Sequence, residues 1–345
     1  MKKVIFILAL ALSGSVTFAQ DTPLEISGSA DAYYKYDFAK TGNIKTSFAS
    51  DQNSLSLGMI DIALKKKTGK TSFVGEVSFG PRGQYQSIPN SDGTYDESGA
   101  NSFHIQNLYA TYAATDKLSF TAGYMGTFIG YEVISPLANF HYSTSYLFTN
   151  GPFQNAGVKA NYAISDKVGI MVGAFNNTWN NYMANPAKGL NSIGAQLSLT
   201  PSEGISAYLN FMDGAESGTI VDLTATFQLT EKFKLGLNAA DWSAPGSADV
   251  GYTGFALYPS VSVTDNFGLG LRAEYFKAKK DGDLIGLDAD QSVTALTLSA
   301  NLKAGGLTII PEFRLDSNSD DYFMKSDMTP TGSASQFTVG VVYGF

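Results

Sequence analysis

LEISGSADAYYKYDF, residues 24–38, decides the fold. Its even positions read Leu24, Ile26, Gly28, Ala30, Ala32, Tyr34, Tyr36 and Phe38, and its odd positions Glu25, Ser27, Ser29, Asp31, Tyr33, Lys35 and Asp37. A β-strand sends successive side chains to opposite faces, so this stretch has one apolar face and one charged face. The same split recurs along the chain. Leu118, Phe120, Ala122 and Tyr124 oppose Ser119, Thr121 and Gly123; Phe267, Leu269, Leu271, Ala273 and Tyr275 oppose Gly268, Gly270, Arg272 and Glu274. Residues 155–162, 205–211 and 307–315 repeat it. Two segments break the pattern. In 52–65 the apolar parity changes between Met59 and Ile60, which predicts a bulge, and in 102–114 only the second half alternates.

Between the strands the connections alternate in length. Short turns stand at 67–69, 115–117, 165–167, 201–204, 230–232, 264–266 and 304–306, rich in the Gly, Asp and Asn that tolerate turn geometry. Longer connections stand at 39–51, 81–101, 127–153, 176–190, 213–218, 243–251, 277–291 and 316–334. Seven turns and eight loops join sixteen strands with both chain ends on the short-turn side. In lipid every backbone polar group must be paired within the protein, which helices and closed barrels achieve. No stretch after residue 20 has the ~18 apolar residues of a spanning helix. The expected fold is therefore all-β: a closed antiparallel transmembrane β-barrel of about 16 strands, with short periplasmic turns and longer extracellular loops. A soluble sandwich also alternates, but its loops need not alternate in length.

Both ends of the chain agree with a bacterial outer-membrane location. Lys2 and Lys3, the apolar run Val4 to Leu12, and small residues at Thr17 and Ala19 read as a signal peptide over 1–19, leaving a barrel over 20–345. The last strand places Phe337, Val339, Val341, Tyr343 and a terminal Phe345 on one face, resembling the signal read by the barrel-assembly machinery. Closure predicts that this strand pairs with 24–38.

Composition narrows the function. The chain has no cysteine, so disulfides do not hold it. Removing Lys2 and Lys3 from 23 basic residues leaves 21 against 31 acidic, a net charge of about −10, which argues against nucleic acid as a partner. No paired histidine spacing marks a metal site and no glycine-rich phosphate loop is present, so no cofactor is expected. His104 and His141 are the only histidines. His141 near Ser143 lies in no catalytic motif, so an outer-membrane enzyme ranks last among the readings.

The segment 118–162 carries a family resemblance. It contains Ala122-Gly123-Tyr124, Ile129-Gly130-Tyr131-Glu132, Asn139, Tyr142-Ser143, Ser145-Tyr146, Pro152-Phe153 and Gly157-Val158. With Tyr33-Tyr34 in the first strand, it resembles the OmpL-like β-barrel porin-2 family, which implies an outer-membrane porin. Thr144 and Gln154-Asn155 depart from that family's pattern.

The loop 127–153 is the longest and least polar, with Phe128, Tyr131, Ile134, Leu137, Phe140, Tyr142, Tyr146, Leu147 and Phe148. So much apolar surface must pack against something. The expectation is a segment folded into the barrel as a constriction; a packed external cap is the alternative. Glu132, Tyr131, His141 and Tyr142 are its candidate constriction residues. Inward parity also gathers Glu25, Asp31, Lys35, Asp37, Glu76, Lys159, Asp222 and Asp316. Arg272, Glu274, Glu312 and Arg314, on adjacent hairpins, form either a charge ladder facing the channel or a bracing salt-bridge ladder. The expected function is passive diffusion of small hydrophilic solutes or ions, with mild cation preference set by Glu132. A non-conducting structural or adhesive barrel is the second reading. Expected partners are outer-membrane lipid, the assembly machinery, the solutes and a homotrimer.

Overall fold

The computed structural model describes residues 21–80, 103–176, 189–281 and 287–345. The expected signal peptide lies outside the described residues, as do most of the connections at 81–101 and 176–190. The strands are β1 (Glu25–Asp37), β2 (Leu55–Thr68), β3 (Thr71–Phe79), β4 (Phe103–Ala113), β5 (Leu118–Gly126), β6 (Gln154–Ser165), β7 (Val168–Asn176), β8 (Leu190–Leu199) and β9 (Ile205–Gly214). They continue as β10 (Gly218–Gln228), β11 (Phe233–Ser243), β12 (Gly251–Thr264), β13 (Phe267–Ala278), β14 (Ser292–Ala304), β15 (Leu307–Asn318), β16 (Phe323–Met324), β17 (Pro330–Thr331) and β18 (Ser333–Gly344). The short pair β16–β17 forms its own hairpin in the connection after β15. The other sixteen strands close into one antiparallel barrel.

Closure is made by β1 and β18, which pair from Ser29/Gly344 to Asp37/Gln336. The parity reading of 24–38 holds: Leu24, Ile26 and Phe38 are exposed on the outside, whereas Ser29, Asp31, Lys35 and Asp37 are buried inside. Phe337, Val341, Tyr343 and Phe345 likewise face outward. Among the described residues no helix is long and apolar enough to cross a membrane; an outer surface this apolar, around a closed set of strands, is what lipid requires.

The parity break near Met59 is a bulge. Ala30 pairs with Ile60 and Ala32 with Leu57, so Asp31 stands opposite both Gly58 and Met59. The Met59 N–H, freed from the ladder, donates to Asp31 Oδ1 at 2.9 Å. Gly58 is required here because a Cβ would collide with that carboxylate. A second register shift opposes Glu76 and Val77 to Asn107 and Ile105, leaving Gln106 as the extra residue. It accounts for the irregular first half of 102–114. One expected long connection, 213–218, shrinks to 215–217, because β9 and β10 extend to Gly214 and Gly218.

Candidate functional site: a loop seated inside the barrel

The loop 127–153 turns inward from β5 and crosses the lumen before returning to β6. Two devices hold it. The first is steric. Glycines on the inward faces of the strands leave hollows, and loop side chains fill them. A Cβ at Gly194 would stand 2.6 Å from the Phe128 ring, and one at Gly236, Gly270 or Gly340 would collide with Tyr131, Phe140 or Tyr142. Leu147 sits in the same way against Gly254, at 3.1 Å. Tyr131 also stacks on Tyr258 with ring centroids 4.5 Å apart. The loop's excess of large apolar side chains is thus packed against the wall of β8, β11, β12, β13 and β18.

The second device is polar. A loop taken out of water needs partners for its backbone N–H groups, and wall carboxylates supply them. Glu274 accepts from Tyr146 N at 3.0 Å and Leu147 N at 2.8 Å. These are the first N–H groups of a five-residue helix, α1 (Tyr146–Asn150), which Ser145 caps through a 2.9 Å bond from Phe148 N. Glu312 accepts from Tyr142 N at 3.0 Å and from the Ser299 hydroxyl at 2.9 Å. Asp222 accepts from Gly130 N at 3.0 Å. The Tyr142 hydroxyl donates to Asp31 at 2.5 Å and that of Tyr146 to Asp316 at 2.8 Å. Within the loop, Asn139 closes the turn 133–139, its side chain donating to Val133 O and accepting from Val133 N.

Arg272 is the hub. It pairs with Glu132 Oε1 at 2.7 Å and donates to Ser143 O at 2.6 Å, Ser143 Oγ at 3.1 Å, Thr144 O at 3.2 Å and Thr297 Oγ1 at 3.1 Å. Arg314 pairs with Asp316 at 2.8 Å, donates to Thr144 O at 2.8 Å, and lies 5.1 Å from the Tyr146 ring centroid.

These contacts correct the expectation of a charge ladder facing the channel. Arg272, Glu274, Glu312 and Arg314 are between 0 % and 2 % exposed. They do not line water; they fasten the loop to the wall. Glu132 is corrected too. At 7 % exposure it is engaged by Arg272 and by the Ser145 N–H at 2.7 Å, so it is not a free acid in a pore. The physical reason is common to all five: charge on the inward parity satisfies whatever covers it. Tyr131 remains half-buried, whereas His141 and Tyr142 are buried.

Sequence reasoning missed the seating glycines, and Ser299, Asn301 and Gln196, whose side chains also bond the loop or its neighbours. The signal was available: Gly194, Gly236, Gly254, Gly270 and Gly340 all fall on inward parity. It also missed that the connection 38–54 folds over the loop 127–153. Ser47 N donates to Thr149 Oγ1 at 2.9 Å, Thr144 Oγ1 donates to Ser47 O at 3.1 Å, and Arg314 donates to Thr46 Oγ1 at 3.2 Å.

His141 is not paired with Ser143. Its Nδ1 lies 2.7 Å from Ser299 Oγ, which in turn donates to Glu312. Ser299 therefore stands between base and acid, whereas a nucleophile relay needs the histidine in the middle.

One sector of the wall is left uncovered. On β3, β4 and β6 the inward-facing Glu76, Asn107, Tyr109 and Lys159 are only half-buried, and among the described residues they make no hydrogen bond to the loop. Nearer the extracellular end of the same sector, Ser78, His104 and Gln106 are buried, with Gln106 donating to Ser78 at 2.7 Å.

A sixteen-stranded closed barrel with an aromatic loop tucked against its inner wall defines an outer-membrane porin. Solved structures share the fold. OmpT of Vibrio cholerae in its trimer form has a TM-score of 0.58 at 12 % identity, covering 95 % of this chain and 100 % of that one. The anion-selective porin from Comamonas acidovorans has a TM-score of 0.62 at 12 % identity, covering 94 % and 100 %. OprB of Pseudomonas putida has 0.61 at 11 % identity, covering 93 % and 94 %. No curated protein matches the chain. The family described as Putative beta-barrel porin-2, OmpL-like, matches residues 23–345, and the chain belongs to that family. It is a multi-pass β-barrel of the outer membrane.

Proposed function

We propose that the protein is a passive channel for small hydrophilic solutes, with a passage confined between the seated loop and the wall of β3–β6. One observation carries this reading: the loop fastens to β1, to β8 and to β10–β15 with β18, yet leaves Glu76, Asn107, Tyr109 and Lys159 only half-buried at mid-barrel. Sixteen-stranded barrels enclose an aqueous lumen unless something fills it, and here most of the circumference is filled. The constriction is thus the loop surface of residues 127–140 facing that sector. Conductance of the purified protein in planar bilayers tests it. Small, stable, ohmic steps are expected, and a folded protein that inserts and passes no current would refute it.

The non-conducting reading has a specific observation on its side, the burial of Ser78, His104 and Gln106 at the outer end of the open sector. The same recording separates the two. Among the described residues no arrangement calls for catalysis, His141 being buried and bonded to Ser299. A homotrimer is the proposed assembly, in line with the trimer form of OmpT; cross-linking in outer-membrane vesicles tests it. Export through a cleaved signal is proposed as well, and N-terminal sequencing of the mature protein near Gln20 tests that.

A further inference from the structure

The charges that water reaches inside the barrel differ in sign from the chain as a whole. The full sequence carries a net charge of −8. Yet the inward-facing carboxylates Asp31, Asp37, Asp61, Glu132, Asp222, Glu274, Glu312 and Asp316 are all buried. Their oxygens are occupied by donors: backbone N–H groups on Asp37, Glu274 and Glu312, side-chain amides on Asp222, guanidinium groups on Glu132 and Asp316.

The charged groups still accessible on the described inner wall are mostly lysines. Besides the buried Lys35, strand pairing and alternation turn five lysines inward. Lys65 stands opposite Val74 and Lys67 opposite Ser72, Lys159 opposite Thr121 and Gly173, Lys234 opposite Ser260, and Lys303 opposite Thr308. All five are half-buried or exposed. Two acids share this surface, Glu25 at the start of β1 and Glu76, whose carboxylate accepts from Asn107 Nδ2 at 2.6 Å. None of the five lysines is in an ion pair among the described residues.

Their heights differ. Lys65, Lys67, Lys234 and Lys303 lie near the short-turn ends of their strands, at the periplasmic mouth. Lys159 is the sixth of the twelve residues of β6, at mid-barrel, in the sector that the loop leaves open.

From this placement we propose that the passage prefers anions, with Lys159 as its selectivity-determining residue and the four other lysines drawing anions into the periplasmic mouth. The inference rests on the channel reading above and reverses the cation preference expected from Glu132. An ammonium group in a narrow aqueous passage with low-dielectric walls raises the local anion concentration and lowers that of cations. The buried carboxylates act weakly by comparison, because they are withdrawn from water and their oxygens are engaged by fixed donors. The ligand class is small anions, inorganic or carboxylate-bearing, bound transiently as they pass.

The test is the zero-current potential across planar bilayers in a KCl gradient. The wild type should show chloride permeating better than potassium by about twofold or more. Lys159→Gln should bring the ratio toward one, and Lys159→Glu should invert it. The preference should shrink as salt shortens the screening length from about 10 Å at 0.1 M to about 3 Å at 1 M. Heat-dependent electrophoretic mobility reports that each variant is folded, and Lys159→Gln carries the test should the glutamate variant fail to insert. A potential of the potassium sign in the wild type, or a Lys159→Gln ratio equal to the wild-type one, would overturn this inference and leave the channel intact. Absence of any current would overturn both.

Discussion

Arg272→Ala should release the loop without opening the barrel. Arg272 makes five hydrogen bonds, two of them to backbone carbonyls of Ser143 and Thr144 and one to the Glu132 carboxylate. None of them belongs to the strand ladder, which β13 keeps through its pairing with β12 and β14. Truncation leaves Glu132 buried, charged and without its cation. Removing one partner of a buried ion pair costs about 3–5 kcal/mol. That cost falls on the seated state of the loop alone, because an unseated loop returns Glu132 to water. A penalty of about 3 kcal/mol raises the population of the unseated state by ~10²-fold, since each 1.4 kcal/mol is a factor of ten. Amide hydrogen exchange of peptides covering 141–148 should accelerate by at least that factor, with exchange in β13 and β14 unchanged. The double variant Arg272→Met with Glu132→Leu removes both charges and should recover much of the protection. Unchanged exchange at 141–148 in Arg272→Ala would refute the assignment of Arg272 as the hub.

Three further outcomes follow from the same geometry. Gly340→Leu should unseat Tyr142, whose ring occupies the space of the missing Cβ, and raise single-channel conductance without slowing membrane insertion. Deleting residues 134–148 should raise conductance further; equal conductance in a folded barrel would mean that the loop does not set the passage. Leu298 lies in the middle of β14 with 54 % of its surface exposed to the outside, so Leu298→Arg should lower folding stability in lipid vesicles by ~2–4 kcal/mol, measured by denaturant titration.

The barrel was legible because its signal is repeated and local. Period two, seen in 24–38, states which face each residue takes, and strand ends fall where turn residues fall. Even the two irregular segments carried information: the parity change at Met59 is the bulge that Asp31 and Gly58 make together. The loop's inward fold could be argued from its aromatics. The roles of the charged wall residues could not. Parity says that Arg272 and Glu274 point inward, but not whether water or protein meets them there. That depends on a loop more than a hundred residues away in sequence. Glu132 was misread for the same reason: its position in the loop was right and its partner was invisible. The glycines that seat the loop gave the weakest signal, because a residue without a side chain reads as an absence until a ring is found in the space.

Tyr142 has a consequence for how the barrel is completed. Its ring lies on Gly340 of β18, its hydroxyl bonds Asp31 of β1, and Tyr33 of β1 packs against it with ring centroids 5.6 Å apart. One side chain therefore bridges the seam where the first and last strands meet. The Tyr142 seat does not exist until that seam is closed, because half of it arrives with the N-terminal strand and half with the C-terminal one. The loop is made early in synthesis, but its Tyr142 contact can form only after closure. Docking of Tyr142 then acts as a latch across the join, so a side chain of the loop that fills the lumen also holds the cylinder shut.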